Sequence, residues 1–484
     1  MQKTISITEL DILHSHMSFT LPLRYDSRRK DALAQTFKKN KYSFFRIDEL
    51  AAESKSNGNE ITVNGKELEQ YFLPYIENKL FPAALNEKGF HRFTKAIQEQ
   101  FEYKLRNTTL SFIIQSVDII LGPFDIVFLT VKVQLDNQKT ELADVLDFMH
   151  HFRAVEPKLE EEQGMIIVSL ESGEHLTVQN LLFEYLFPFL KEYILHDDKL
   201  GGSFGSLPYY EDERMYVTAF LFSREGSLIT DDQLYRMGAL DGKLPNGELF
   251  ISATNPDYVR RSLKQSLHDR WAPDTYSITT IHAFITVTNR PPAEMSKELS
   301  HYLGTHYYNF LLHYFYKIML LRVSFEYSQI EWKKDEEYVK SLIKFITLFS
   351  SGYYSQEVST RSEGKEQTQM FQQAFNIDGL FKEVNNTLHE LYKSQENNAS
   401  DKMNTLLFIL TIFTVISGIY GMNLVIQDWE SPSAWREVST YTFFEWISLI
   451  TALSGIGLSA YLVATTFGKM LVSKLRRKKS NSSM

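Results

Sequence analysis

The 484-residue chain contains no cysteine, which excludes disulfides, thiolate metal sites, iron–sulfur clusters and a cysteine nucleophile. Any metal must therefore be held by oxygen or imidazole. A disordered composition is missing too: 43% hydrophobic and 23% charged residues describe a chain with a core, too long for one ordinary domain. There is no basic excess, since 51 Lys and Arg face 60 Asp and Glu for a net charge of -9. That balance disfavours a nucleic-acid partner and permits affinity for cations. Met1–Lys30 holds Glu9, Asp11 and Asp26 without an apolar run, so it reads as neither a secretory signal nor a transit peptide.

Catalytic signatures are equally scarce. Gly201-Gly202-Ser203-Phe204-Gly205 lacks the Lys-Ser/Thr continuation of a phosphate loop and reads as a plain loop, so no nucleotide is expected. No nucleophile elbow marks a Ser/His/Asp arrangement. The 13 histidines group as His14/His16, His150/His151 and His301/His306/His313, with His306 and His313 on one helical face, but none forms a His-Glu-x-x-His pattern. They read as partly buried side chains, and an enzyme is not expected. Acidic clusters at Glu160-Glu161-Glu162, Asp197-Asp198, Glu211-Asp212-Glu213, Asp231-Asp232 and Asp335-Glu336-Glu337 read as solvated faces or helix starts. Which of them would form a regulatory cation site is left open.

Long uncharged runs occur twice, at Met403–Gln427 (25 residues) and Trp446–Gly468 (23 residues). Each meets the requirement of about 20 residues for a helix crossing a hydrocarbon core of roughly 30 Å, which predicts two transmembrane helices. The intervening segment is rich in aromatics and acids, with Trp429, Trp435, Tyr441, Phe443 and Phe444, and the tail after Gly468 carries six Lys and Arg and no acid. The positive-inside bias then places the tail and the N-terminal body in the cytosol of a cell-membrane protein. Without those six tail cations, 45 Lys and Arg face 60 Asp and Glu, about -15.

The body to about Asn289 alternates strands (Met17–Leu23, Thr109–Ile120, Asp125–Gln134, Met165–Leu170, Met215–Ser223, Ser277–Thr288) with helices (Glu67–Lys79, Thr140–Arg153, Thr177–Leu195, Asp231–Met237). The predicted fold is thus an α+β membrane protein. Its parts are an α/β domain with a mixed sheet (1–289), a helical stalk (290–402), a first transmembrane helix (403–423), an outer loop (424–444), a second transmembrane helix (445–468) and a basic tail (469–484). At 100° per residue, Asn397, Ser400, Asn404, Leu407, Thr411, Thr414 and Gly418 share one stripe about 100° wide. Such a stripe faces protein or water, either by small-residue packing or by lining a pore built from several copies.

Tyr420-Gly421-Met422-Asn423, at the end of the first of two C-terminal apolar segments, resembles the signature of the CorA family of magnesium transporters. The resemblance implies a homopentameric divalent-cation channel, most directly for magnesium uptake driven by membrane potential. Its partners would be divalent cations, the membrane and copies of itself, with Mg2+ transported and regulatory. It further implies a selectivity ring at Gly421, Met422 and Asn423, with Asn423 touching the ion through bound water. Pore-lining positions would be Asn397, Ser400, Met403, Asn404, Leu407, Thr411, Thr414 and Gly418, and Asp428 and Glu430 in the outer loop would attract cations. Ile412 stands where the family often has proline, and Ile426-Gln427-Asp428-Trp429-Glu430 replaces its usual loop sequence. A zinc, cobalt or nickel transporter of the same superfamily and a non-conducting membrane-anchored sensor or scaffold are the alternatives.

Overall fold

The computed structural model describes residues 5–47, 63, 65–106, 108–136, 140–158, 165–171, 173, 175–195, 207–210, 214–330 and 336–421, and 442–461 in part. Twelve strands form one mixed sheet in the order β10-β11-β12-β9-β1-β5-β4-β3-β7-β8, with β2 on β3 and β6 on β1. The long central strands are β1 (Asp11–Arg24), β3 (His91–Lys104), β4 (Thr109–Leu121), β5 (Ile126–Leu135), β9 (Tyr216–Ser223) and β12 (Ala283–Thr288). The shorter ones are β2 (Ser43–Phe44), β6 (Thr140–Glu141), β7 (Ile166–Ser169), β8 (His175–Leu176), β10 (Leu267–Trp271) and β11 (Thr275–Thr279). Among the described pairs only β9 and β12 run parallel.

Alternation sets the two faces of this sheet. Met17, Phe19, Leu21 and Leu23 of β1 join Val117 and Ile119 of β4, Val131 and Val133 of β5, and Val217 and Ala219 of β9 in one core. Helices α1 (Lys30–Lys39) and α4 (Leu142–Phe152) cover it, and α4 sets Phe148 and Phe152 edge-on or tilted against Phe19 and Phe112. Helices α5 (Asp231–Ala239) and α6 (Pro256–Ser266) add Leu234, Met237, Val259 and Leu263 to the same core.

The opposite face meets α8 (Tyr307–Ser328), which buries residues around its whole circumference, as expected of a helix apolar all round. Phe128 packs on Tyr314, and Tyr216 stacks on Phe310 with centroids 4.8 Å apart. Here too lies a buried charge group: Asp118 of β4 sits 3.1 Å from the Arg92 guanidinium of β3 and 3.4 Å from the Lys132 ammonium of β5. Burial alone would raise the Asp118 carboxyl, but the two cations outweigh it and hold it below the ordinary carboxylate range.

Around this face run α2 (Gly65–Tyr71), α3 (Pro74–Leu80), α7 (Pro292–His301), α9 (Glu336–Gly352) and α10 (Ser362–Ala374). Helix α11 runs without a break from Ile377 to Gly421. The chain divides into two units, Met1–Leu388 and His389–Met484.

The expected membrane architecture is corrected. Among the described residues no helix is long and apolar enough to cross a membrane. The uncharged end of α11 runs from Met403 to Gly421, and Asn404, Thr405, Thr411 and Thr414 interrupt its apolar character. The fold observed is α+β with a twelve-stranded mixed sheet, and neither the two transmembrane helices nor the multi-pass cell-membrane location with cytosolic termini is supported.

Candidate metal centre

Three side chains from separate elements converge on one point. His301 is the last residue of α7, His306 closes the π-helical turn Tyr302–His306, and Glu363 lies in the first turn of α10. A carboxylate there is favoured by the positive end of the helix dipole. Glu363 Oε1 accepts from His301 Nε2 and from His306 Nε2, each at 3.3 Å. The three potential ligand atoms lie within 4.8 Å of one another.

The π turn makes this possible. Five α-helical residues sweep about 500°, which puts positions i and i+5 on different faces. A π turn pairs i with i+5 and stacks them. The two imidazole rings accordingly stand with centroids 4.6 Å apart. Thr305 helps to deform the helix, because its hydroxyl donates to the His301 carbonyl at 3.1 Å.

Glu363 is placed by close packing of its own helix. A Cβ on the next residue, Gly364, would lie 2.4 Å from Ser359 Oγ and 3.0 Å from the Tyr71 ring, so only glycine lets α10 approach there. One turn along, Glu366 accepts from His268 Nε2 at 2.9 Å and from Arg270 Nη1 at 2.8 Å, which ties α10 to β10.

The electrostatics separate the two histidines. His301 Nδ1 donates to Glu67 Oε1 of α2 at 2.9 Å. Burial would lower this imidazole, but Glu363 and Glu67 together raise it above its ordinary value. His306 is buried and is lowered to about 4, burial outweighing its bond to Glu363. Burial likewise acts to raise Glu363, yet its bonds to both histidines hold it far below the ordinary carboxylate range. The His301 ring therefore bridges Glu67 and Glu363 through its two nitrogens.

Two imidazoles and a carboxylate without sulfur form a zinc-class donor set. Tetrahedral zinc, with bonds of about 2.0–2.1 Å, keeps its ligand atoms about 3.3–3.4 Å apart. The two His–Glu363 separations of 3.3 Å match that edge. The bond from His301 Nδ1 to Glu67 fixes the ring tautomer and frees Nε2 for metal.

Compared with family models, curated proteins and solved structures, this chain matches none of them.

The other residues singled out in the sequence fall elsewhere. His313 is fully buried on α8, its Nδ1 donating to the Asn309 carbonyl at 2.8 Å, apart from the His301/His306 pair. His16 is buried on β1, and His150 and His151 meet edge to face at 5.2 Å. Asn397, Ser400, Met403, Asn404, Leu407, Thr411, Thr414 and Gly418 occupy exposed positions on α11. The hydroxyls of Thr411 and Thr414 bond back to the Leu407 and Leu410 carbonyls at 2.8 Å, within their own helix. Gly421 ends that helix, whereas Met422, Asn423, Asp428 and Glu430 lie outside the described residues, as do Glu160–Glu162, Asp197, Asp198, Glu211–Glu213 and Asp335.

Only a faint signal for this centre is legible along the chain. His301 and His306 were grouped but at a spacing that no α-helix brings together, and Glu363 lies 57 positions beyond His306. Nothing in the linear chain marks Glu363 as their partner.

Proposed function

We propose that this chain is a divalent-metal-responsive protein that binds one zinc-class ion through His301, His306 and Glu363. The observation that carries the reading is the approach of both imidazole Nε2 atoms to one carboxylate oxygen at 3.3 Å, the edge length of a tetrahedral zinc site. Three protein ligands leave a coordination position open, and the ion would displace any proton held on the ligating nitrogens. Of the readings raised by the sequence, this one favours zinc, cobalt or nickel over magnesium, which prefers an all-oxygen octahedron.

The test is metal titration of the metal-stripped full chain with zinc, cobalt and magnesium, followed by competition with a chromophoric chelator. One equivalent of zinc or cobalt is expected, with a tetrahedral cobalt visible spectrum and no magnesium competition. Zinc affinity that is unchanged in both His306→Ala and Glu363→Gln overturns the reading.

Divalent-cation conduction by a homopentamer, which the Gly-Met-Asn resemblance implies, is a second proposal. Its support is the unbroken run of α11 from Ile377 to Gly421, the first residue of that motif. Magnesium flux compared between the wild-type chain and Asn423→Ala, together with the mass of the assembly, tests it.

A further inference from the structure

The metal cluster forms one wall of a cavity of about 340 Å3, a volume at the lower end of those that hold small organic ligands. Two other walls differ in character. One is aromatic, with Phe220, Trp271 and Tyr302. The other carries Gln367, one helical turn after Glu363 on α10.

Gln367 is only 2% exposed, and neither its Nε2 nor its Oε1 has a hydrogen-bond partner among the described residues. Leaving a buried polar group unpaired costs about 1–3 kcal/mol. A carboxamide so placed, beside a metal centre and facing a cavity, is built to meet both a donor and an acceptor.

Apart from Lys297, which is exposed, the charged residues on the rim are already engaged. Arg290 pairs with Glu298 at 2.7 Å and with Glu294 at 3.4 Å, and Glu67 holds His301. Recognition therefore falls to the metal and to a neutral amide. The metal's open position calls for an anionic oxygen. Gln367 Nε2 donates to an oxygen of the ligand, and its Oε1 requires a hydroxyl or amine donor close by.

On these grounds we propose that the cavity binds a small 2-hydroxycarboxylate with an apolar side chain. The carboxylate occupies the metal's open position, the Gln367 carboxamide reads the 2-hydroxyl, and the side chain lies against the aromatic wall. A hydroxyl fits better than an ammonium, because the neighbouring carboxylates are already paired and offer no counter-charge. The proposal rests on the metal reading above.

The experiment is calorimetric titration of the zinc-loaded full chain with 3-phenyllactate and with 3-phenylpropanoate, which lacks the hydroxyl. Phenyllactate is expected to bind at least about 10-fold more tightly, since a site that pairs a ligand hydroxyl discriminates against its absence. Gln367→Leu should erase that preference while zinc still loads at one equivalent. Equal affinity for the two acids, no binding of either, or an undiminished preference in Gln367→Leu overturns the inference while leaving the metal centre intact. Failure of the chain to take up zinc is the separate result that removes the metal reading. Phenylalanine binding as tightly as phenyllactate overturns the choice of hydroxyl.

Discussion

His301 Nδ1 donates to Glu67 Oε1 at 2.9 Å, joining a residue at the end of α7 to one near the start of α2, 234 positions earlier in the chain. This bond turns the other ring nitrogen of His301 towards Glu363 and selects the tautomer that can ligate. Glu67→Gln keeps the shape and removes the charge. Its zinc affinity should fall by about 10-fold, because the carboxylate that orients the ligating ring is lost. Competition against a chelator measures it, and unchanged affinity would show that Glu67 does not orient the ring.

Asp118 is a shared counter-charge for two buried cations, Arg92 at 3.1 Å and Lys132 at 3.4 Å. Asp118→Asn leaves both without it. Breaking a buried pair in this way costs about 3–5 kcal/mol. Urea unfolding should register a loss of that size, and a loss below about 1 kcal/mol would mean that water reaches the group.

Burial lowers His16 to about 3 and His313 to about 4. For His16 the charge of Lys132 acts in the same direction. The folded chain therefore binds fewer protons than the unfolded one once the pH drops below the ordinary imidazole value of about 6.5. Stability is full above that value and falls as the pH goes from about 6.5 towards 4. For His313 the full difference is worth about 3 kcal/mol. The slope of stability against pH in this window should lessen in His313→Asn, and denaturant melts at several pH values provide the check.

Gly242 follows α5 and lies against α4. A Cβ there would sit 2.6 Å from the backbone nitrogen of Asp147 and 2.9 Å from the Ala143 carbonyl. Backbone atoms of a helix cannot swing aside as a side chain does. Gly242→Ala should destabilise the chain by about 1–3 kcal/mol, the usual cost of overpacking. A thermal midpoint equal to the wild type would contradict this close approach.

Strands were legible wherever the pattern was regular. The expected segments at Thr109–Ile120, Asp125–Gln134 and Met215–Ser223 lie on β4, β5 and β9, whose apolar residues are nearly continuous because both faces are covered. Strand β3 escaped notice because its alternation is interrupted: the register shifts between Ala96 and Glu99, and Gln98 takes a positive φ of 57°. The single strand expected over Ser277–Thr288 is two, β11 and β12, turned without glycine or proline by Thr280, whose hydroxyl accepts from the backbone of His282 and Ala283. The helix expected over Thr177–Leu195 is three short pieces of different pitch, interrupted before Pro188.

The sequence by itself determined the oxygen-and-imidazole limit on metal binding, the acidic balance and most of the strands, because composition and local periodicity survive in a linear reading. It also pointed to a membrane hairpin that the described helices do not form. Only the tertiary structure decided the metal centre and its cavity. A π turn rotates His306 back over His301, α10 delivers Glu363 from 57 residues away, and the same helix carries Gln367 into the cavity. Ligand convergence depends on helix pitch and on packing between distant elements, and neither is written in the spacing of residues along the chain.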